Sequence, residues 1–412
     1  MKTSFPKLLP VILLAACSTP SVQEMGENWK SIERDLQAQL IMAKDSSTVE
    51  IPEGHYMFTK PLLLDGKKHL TIKGQGIDQT ILSFELQEEG AEGMKVANAV
   101  NITLQDFTIE NAKGDNIKVT DSRDVTFRNI KSQWTGEPKE KNGAYAFYPV
   151  LCKNVVVENC IAIGSSDAGI YVGQSDSVII RNNEVYYNVA GIESENSRWV
   201  EVYGNYAHDN TGGILVFDMP GLTQYGYTTR VFNNRSISNN FDNFAPAGNV
   251  VATVPPGTGI MLLATRNVEI FDNLIQNNRT VGTAIVSYKL VEALGTGEET
   301  QLDENIQKSR VDENYDPYPD EVYIHDNSYS NSYWFPTTKN DFGLLFMTKF
   351  PLSTPDIAWD GITENGRKFQ LCVQQPGIQF GNLDAANDFE NLNDDLEPFT
   401  CAGQTINPIF ND

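Results

Sequence analysis

The feature that most constrains this chain is a repeat. Gly169-Ile170-Tyr171-Val172 returns as Gly191-Ile192-Glu193-Ser194 and again as Gly213-Ile214-Leu215-Val216, each step being 22 residues. After insertions the motif recurs as Gly259-Ile260-Met261-Leu262 and Ala284-Ile285-Val286-Ser287. A second landmark recurs once per coil, spaced more widely where insertions intervene. Short alternating strands close on asparagine at Asn182, Asn205, Asn234, Asn273 and Asn327, with upstream copies ending at Asn129 and Asn159. Strands of four or five residues between Asn and Gly turns, at so constant a period, suit one coil of a β-solenoid with three strands and three turns. Asparagine accepts the left-handed backbone of a tight corner, and stacked asparagines hydrogen-bond along the axis as a ladder. Antiparallel hairpins also use short strands, but they do not return apolar, polar and asparagine positions at one fixed step.

The ends differ from the middle. Residues 29–43 place Trp29, Ile32, Leu36 and Leu40 at helical spacing, the right shape to plug an open solenoid end that would otherwise expose core and strand edges. Residues 49–56 and 70–74 read as the first coils. From about residue 350 the repeat dissolves, and 351–412, rich in Pro, Gly, Asn and Asp, reads as an irregular C-terminal cap. The N-terminus has the order of an export signal: Lys2 and Lys7, then an apolar run from Leu8 to Ala16 too short to span a bilayer. Leu14-Ala15-Ala16-Cys17 resembles the bacterial lipobox. That resemblance implies cleavage after residue 16 and acylation of Cys17, enough lipid for stable anchoring, and Ser18 after it goes with sorting to the outer membrane. The resulting scheme is a signal over 1–16, a tether over 17–28, the solenoid with its cap helix over 29–350 and the end cap over 351–412.

Charge narrows the partners. The net charge is −23, and about −25 once Lys2 and Lys7 are gone, which repels nucleic acid and anionic headgroups and leaves the lipid as the expected route to the membrane. A polyanionic ligand then calls for divalent cations or local lysines. Of the remaining cysteines, Cys372 and Cys401 suit a disulfide staple in an exported chain, whereas the sequence leaves a Cys152–Cys160 bond open, eight residues of mostly extended chain speaking against it. Four scattered histidines offer no zinc or haem spacing.

The coils resemble the pectate-lyase-like superfamily, which implies an all-β, single-stranded, right-handed parallel β-helix of three sheets with ~22-residue coils. Asn210-Thr211-Gly212-Gly213-Ile214-Leu215-Val216-Phe217-Asp218-Met219-Pro220-Gly221 is similar to a narrower family of exported parallel β-helix repeat proteins, often lipoproteins, without an established activity. That likeness implies a co-encoded exported protein as a partner and brings no catalytic residues to carry over.

Taking the Gly-Ile strand as the first of each coil, alternation sends Ile170, Val172, Ile192, Ser194, Ile214, Val216, Ile260 and Leu262 inward. Outward columns then run Lys118, Tyr148, Tyr171, Glu193, Leu215, Met261, Val286 and, beside it, Thr120, Val150, Gly173, Glu195, Phe217, Leu263, Tyr288. Insertions at 131–144, 218–229, 238–258 and 289–320 flank this sheet and wall a groove suited to a polysaccharide. Lys118, Tyr148, Tyr171, Phe217 and Tyr288 are the expected sugar contacts. The apolar outward residues Leu215, Phe217, Met261 and Leu263 are either a binding patch or a satellite core beneath the insertions.

Glu193 and Glu195 share a strand face, roughly 5–9 Å apart, the separation glycosidases use. With Asp218 they form the expected catalytic group, Glu193 as general acid and Glu195 as base or nucleophile, or else three oxygen ligands for Ca²⁺. A polysaccharide lyase instead needs a base, Tyr171 or Lys118, and a cation to neutralise the uronate; a Lys/Arg pair along a column is not evident. Asp316-Pro317-Tyr318 stops short of the Asp-Pro-His of mannuronan epimerases. The alternative to a glycan-binding enzyme is a non-catalytic surface scaffold that docks another exported protein.

Overall fold

Three strands per coil, each too short to hold itself, find their partners one coil away. In the computed structural model, which describes residues 32–293, 301–333, 335–350, 353–364, 367 and 369–410, the named strands pair in parallel. One face is a sheet of eleven strands from Leu62–Asp65 to Phe380–Asn382, and it includes Tyr145–Val150, Ala168–Gly173, Ala190–Glu195, Gly212–Phe217, Thr258–Leu263 and Val281–Val286. The other two faces form one continuous sheet of nineteen strands, because Val100–Glu110 and Arg123–Gln133 run unbroken around the corner between them. The inward residues Ile170, Val172, Ile192, Ile214, Val216, Ile260 and Leu262 pack in the central core as expected.

Each corner divides its work between two neighbouring residues. Asn182, Gly204, Asn233, Asp272 and Asp326 take the left-handed conformation. The residues after them, Asn183, Asn205, Asn234, Asn273 and Asn327, turn inward and stack. In this ladder each Nδ2 donates to the Oδ1 of the asparagine one coil on, at 2.9–3.0 Å. That same Oδ1 accepts the backbone N–H of the preceding rung. A second ladder of Asn188, Asn210, Asn239 and Asn278 follows Tyr187, Asp209, Ser238 and Asn277 at the next corner. Cys160 stands one coil before the first ladder, and its N–H donates to Asn183 Oδ1 at 2.9 Å. Cys152 and Cys160 are both free and buried, while Cys372 and Cys401 are bonded.

The ends are closed by side chains as well as by packing. The helix Glu33–Met42 buries Leu36 and Leu40 against the core. Its Gln37 amide donates to Leu63 O and accepts from Leu63 N–H at 2.9 and 2.8 Å, standing in for the strand that is missing beyond Leu62–Asp65. Trp29 lies outside the described residues, as do the signal, the tether and Cys17. Coil pairing continues past residue 350: Ile357–Trp359 pairs with Val281–Val286, Leu371–Gln374 with Asp320–His325, and Phe380–Asn382 with Ile357–Trp359. The irregular cap therefore begins after Asn382, closed by an antiparallel bridge between Asn382 and Asn393.

One register differs from expectation. Met261 pairs with Ala284 and Leu263 with Val286, so the last motif is Gly282-Thr283 rather than Ala284-Ile285. Thr283 takes the inward place of an isoleucine because its hydroxyl meets the Tyr329 hydroxyl at 2.9 Å. Val286 thus belongs to the second outer column, and Tyr288 leaves the sheet for the helix Tyr288–Ala293.

Removing a central rung strands several buried groups at once. Asn205→Ala leaves Asn183 N–H without its acceptor and Ile180 O without its donor, so urea denaturation is expected to show a loss of about 3 kcal/mol. A loss under ~0.5 kcal/mol would mean the ladder is not a structural element.

Candidate active site

The first sheet carries two different surfaces. Beyond Glu193 its outward column runs Leu215, Met261, Ala284 and Ala358. Here the insertions fold down: Val250, Val251 and Val254 from 238–258, Leu290 and Val291 from Tyr288–Ala293, and Leu302 and Ile306 from the helix Gln301–Val311 form a second hydrophobic core on the sheet. Leu215 is wholly buried and Phe217 is 2% exposed. Of the two readings of these apolar residues, the satellite core is the one the fold adopts. Phe217 and Tyr288, expected as sugar contacts, are therefore corrected to packing residues: both lie within this core and outside the cleft. Apolar side chains that strand alternation turns outward are removed from water by the long loops that flank them.

Before Glu193 the sheet stays polar and open. Lys95 pairs with Lys118, Lys118 with Tyr148, and Tyr171 with Glu193. Tyr145, Tyr148 and Tyr171 cluster with ring centres 4.5–5.0 Å apart. Lys118 Nζ sits 4.6 Å from the Tyr148 ring centre and 3.9 Å from Asp115 Oδ2. Gly173 makes this geometry possible, since a Cβ there would lie 2.4 Å from the Tyr171 ring. With the space free, the Tyr171 hydroxyl donates to Glu195 Oε1 at 2.7 Å. Tyr145 likewise donates to Asp167 Oδ2 at 3.3 Å.

A cleft of about 960 Å³, open to solvent, has Tyr145, Tyr148, Tyr171, Asp167, Glu193 and Glu195 on its floor. Met219, Pro220 and Leu222 form one wall, Asn249 to Val251 and the face of Gln301–Val311 carrying Glu304, Asn305 and Lys308 the other. Glu193 is 4% exposed, and its Oε2 has no hydrogen-bond partner among the described residues. Burial, and then the nearby Asp167 and Glu195 carboxyls, push its pKa well above the ordinary range. Burial also lifts Glu195 to about 7, against the pull of the Tyr171 hydrogen bond. Asp167 rises to about 7, through burial first and then the charge of Glu195. The hydroxyls of Tyr145 and Tyr171 are made much less acidic by burial and the surrounding carboxyls.

Comparison with known proteins places this architecture. A family model described as "Right handed beta helix region" matches residues 68–221. The A-modules of two mannuronan C-5 epimerases of Azotobacter vinelandii superpose with TM-scores of 0.51, at 15% and 14% identity. Each match covers 85% of this chain, and 92% and 91% of the respective modules. An alginate lyase from a Paenibacillus species matches at 12% identity and TM-score 0.44, over 71% of this chain and 92% of its own. No curated protein sequence matches significantly. This chain is a right-handed parallel β-helix protein.

Within this β-helix the expected site residues separate. Glu193, Glu195, Tyr148 and Tyr171 line one cleft, and Lys118 stands at its open end. Asp218 does not line the cleft. It is buried, its Oδ1 accepts Gly226 N–H at 2.9 Å and its carbonyl accepts the Tyr315 hydroxyl at 2.7 Å, so it anchors the insertion that follows it. Among the described residues, no three His, Cys, Asp or Glu side chains converge to hold a metal ion. Glu193, Glu195 and Asp218 thus do not converge as a Ca²⁺ ligand set.

Lys95, Tyr145 and Asp167 belong to the site and were not anticipated. Asp167 sits in the turn before a Gly-Ile strand, where an acidic residue reads as solvated. What marks it is its place directly before Ala168–Gly173, beside Tyr145 of the preceding coil, whose hydroxyl it accepts.

The raised pKa values fix the sign of a stability effect. These carboxyls keep their protons when folded at pH values where the unfolded chain releases them. The unfolded state then binds fewer protons, and stability falls as pH rises. The window opens near the ordinary carboxylate value of ~4 and runs through about 7 for Glu195 and Asp167. Tm should decline from about pH 5 to about pH 8, and Glu193→Gln should make the decline shallower and raise Tm at the upper end by a few degrees. A variant no more stable than wild type at that pH would refute a buried, protonated Glu193.

Proposed function

We propose that this protein binds a polysaccharide in the cleft and hydrolyses it, with Glu193 as general acid and Glu195 as base. The observation that carries the proposal is Glu193 Oε2: a buried carboxyl oxygen with no hydrogen-bond partner among the described residues, facing a cleft floored by tyrosines, in a carboxyl whose pKa burial raises. A buried polar atom left unpaired costs stability, and with the carboxyl's pKa raised a ligand oxygen is a fitting partner for it. The two glutamates share a face but differ in environment. The Tyr171 hydroxyl stabilises the anion of Glu195, whereas Glu193 Oε2 has no such donor among the described residues, which favours one as base and the other as acid. In the reaction the Glu193 proton passes to the glycosidic oxygen as its bond to the anomeric carbon breaks. Glu195 takes the proton of the water whose oxygen forms the new bond, so the net change is addition of water. Tyr145 and Tyr148, both part-exposed, supply faces on which sugar rings stack, while Tyr171 packs behind them.

A lyase or epimerase route has less support. The Tyr171 hydroxyl is occupied and made a weaker acid, which disfavours the tyrosinate a proton abstraction requires. Asp316, in the segment that approximates the epimerase motif, is ion-paired with Arg266 and Arg367 and does not line the cleft. The shared fold with mannuronan epimerase modules keeps an acidic polysaccharide among the ligands to test. We further propose that the chain works outside the cell membrane, held by lipid on Cys17 in the outer membrane, as its N-terminal sequence implies.

Glu193→Gln is expected to lower kcat at least about 10²-fold while Kd for the glycan stays within about threefold. Equal losses of binding and turnover would overturn the acid role. In wild type kcat should rise through about pH 7 as the base ionises, reported as a macroscopic value of the coupled carboxyls. An activity that is flat across that range would remove Glu195 from the base role.

A further inference from the structure

The cleft is a trough with one closed end. Glu193 and Glu195 lie where the polar half of the sheet meets the covered half, and the next residues on their columns are Leu215 and Phe217, shut beneath the satellite core. The closing wall is Gln301–Val311, whose Glu304, Asn305 and Lys308 face the cleft. This wall is latched. Leu302 N–H donates to Gly248 O at 2.7 Å. Asp312 accepts Gly221 N–H at 3.2 Å and is hydrogen-bonded by the Tyr225 hydroxyl. Gly221 is packed so close that a Cβ there would lie 2.9 Å from Lys308 Cδ. Three insertions from different coils thus hold one another in place over the sheet. In the other direction nothing comparable among the described residues covers the column: Tyr148, Lys118 and Lys95 are part-exposed and Leu63 is 50% exposed.

We infer that the cleft takes the terminus of a linear acidic glycan, with the end unit at Glu193 and the chain leaving over Tyr148, Lys118 and Lys95. This rests on the glycan reading above and adds which part of the polymer is bound. A chain continuing along the helix axis past Glu193 would have to pass through Leu215 and the packed wall. The two lysines stand on one outward column in adjacent coils, about 4.8 Å apart along the axis. Their nearest carboxylates, Glu92 and Asp115, are at 3.8 and 3.9 Å, longer than a charge-assisted hydrogen bond. Each lysine is thus ion-paired within its own coil but not hydrogen-bonded to that carboxylate, and an incoming uronate can compete for it on a chain whose net charge is −23. Any turnover at the site is then exo-type, releasing short products from one end.

The test is calorimetric binding of linear oligouronates and neutral oligosaccharides of about four and about twenty sugars to the full-length Glu193→Gln protein. Wild type is measured in parallel, and the same oligouronates carry a bulky fluorophore on one end or the other. A terminus site predicts one protein per chain, Kd per chain constant within about twofold across lengths, and at least a tenfold loss, about 1.4 kcal/mol, when one particular end is blocked. Replacing Lys95 and Lys118 together by glutamine should weaken the long oligouronate several-fold. Affinity per chain that grows in proportion to length, with both blocked forms binding as well as the free one, would overturn the terminus inference and leave the glycan reading standing. Binding of neutral chains alone would overturn the acidic class. No binding by any oligosaccharide would overturn the glycan reading itself, and this inference with it.

Discussion

Everything in this molecule depends on parallel strands one coil apart keeping the same register at every turn. A parallel ladder sends identical positions of successive coils to the same side, so a single slip would carry the core outward. The asparagine ladders oppose such a slip. A rung one residue out of place would leave its own amide and the neighbour's backbone N–H unsatisfied in the interior. Because the corners are fixed so firmly, loops of very different length can be spliced between strands without disturbing the stack, and the insertions at 218–229, 238–258 and 289–320 use that freedom.

The insertions decide what the sheet can do. Where they fold down they bury Leu215, Phe217 and Leu263. Where they stop they leave carboxyls at the boundary, dry enough to hold protons yet adjacent to solvent. An apolar cover on one side of Glu193 and an open face on the other is what separates its behaviour from that of a surface acid. Glu193 Oε2 has no hydrogen-bond partner among the described residues, while Tyr171, reaching over Gly173, supplies one to Glu195. Two chemically identical groups two residues apart acquire different surroundings from one tyrosine and one glycine.

How much of this was legible in the sequence follows from what repeats and what does not. The strand faces, both glutamates, Tyr148 and Tyr171 lie in coils of constant length, and their placement could be read by counting. Val286 and Tyr288 were misplaced because Thr283 breaks the Gly-Ile signature; its inward polarity is satisfied only by Tyr329, a residue 46 positions away. Lys95 escaped because the longer segment ahead of it hides its register with Lys118. The fate of Phe217 could not be decided by periodicity at all, since alternation says only that it points out, not what lies on top. The corner likewise looked like one asparagine with two duties, whereas the backbone bend and the inward amide belong to successive residues.

The Gln37 amide has a consequence beyond the stability of its own coil. A stack of parallel strands has no intrinsic length: each open end is a template for the next layer, and a neighbouring molecule can supply that layer as well as the chain itself. Gln37 occupies the donor and acceptor of Leu63 at one end, and the Asn382–Asn393 bridge folds the chain back over the other. Each acts as a terminator of growth, separating a finite solenoid from a filament assembled head to tail.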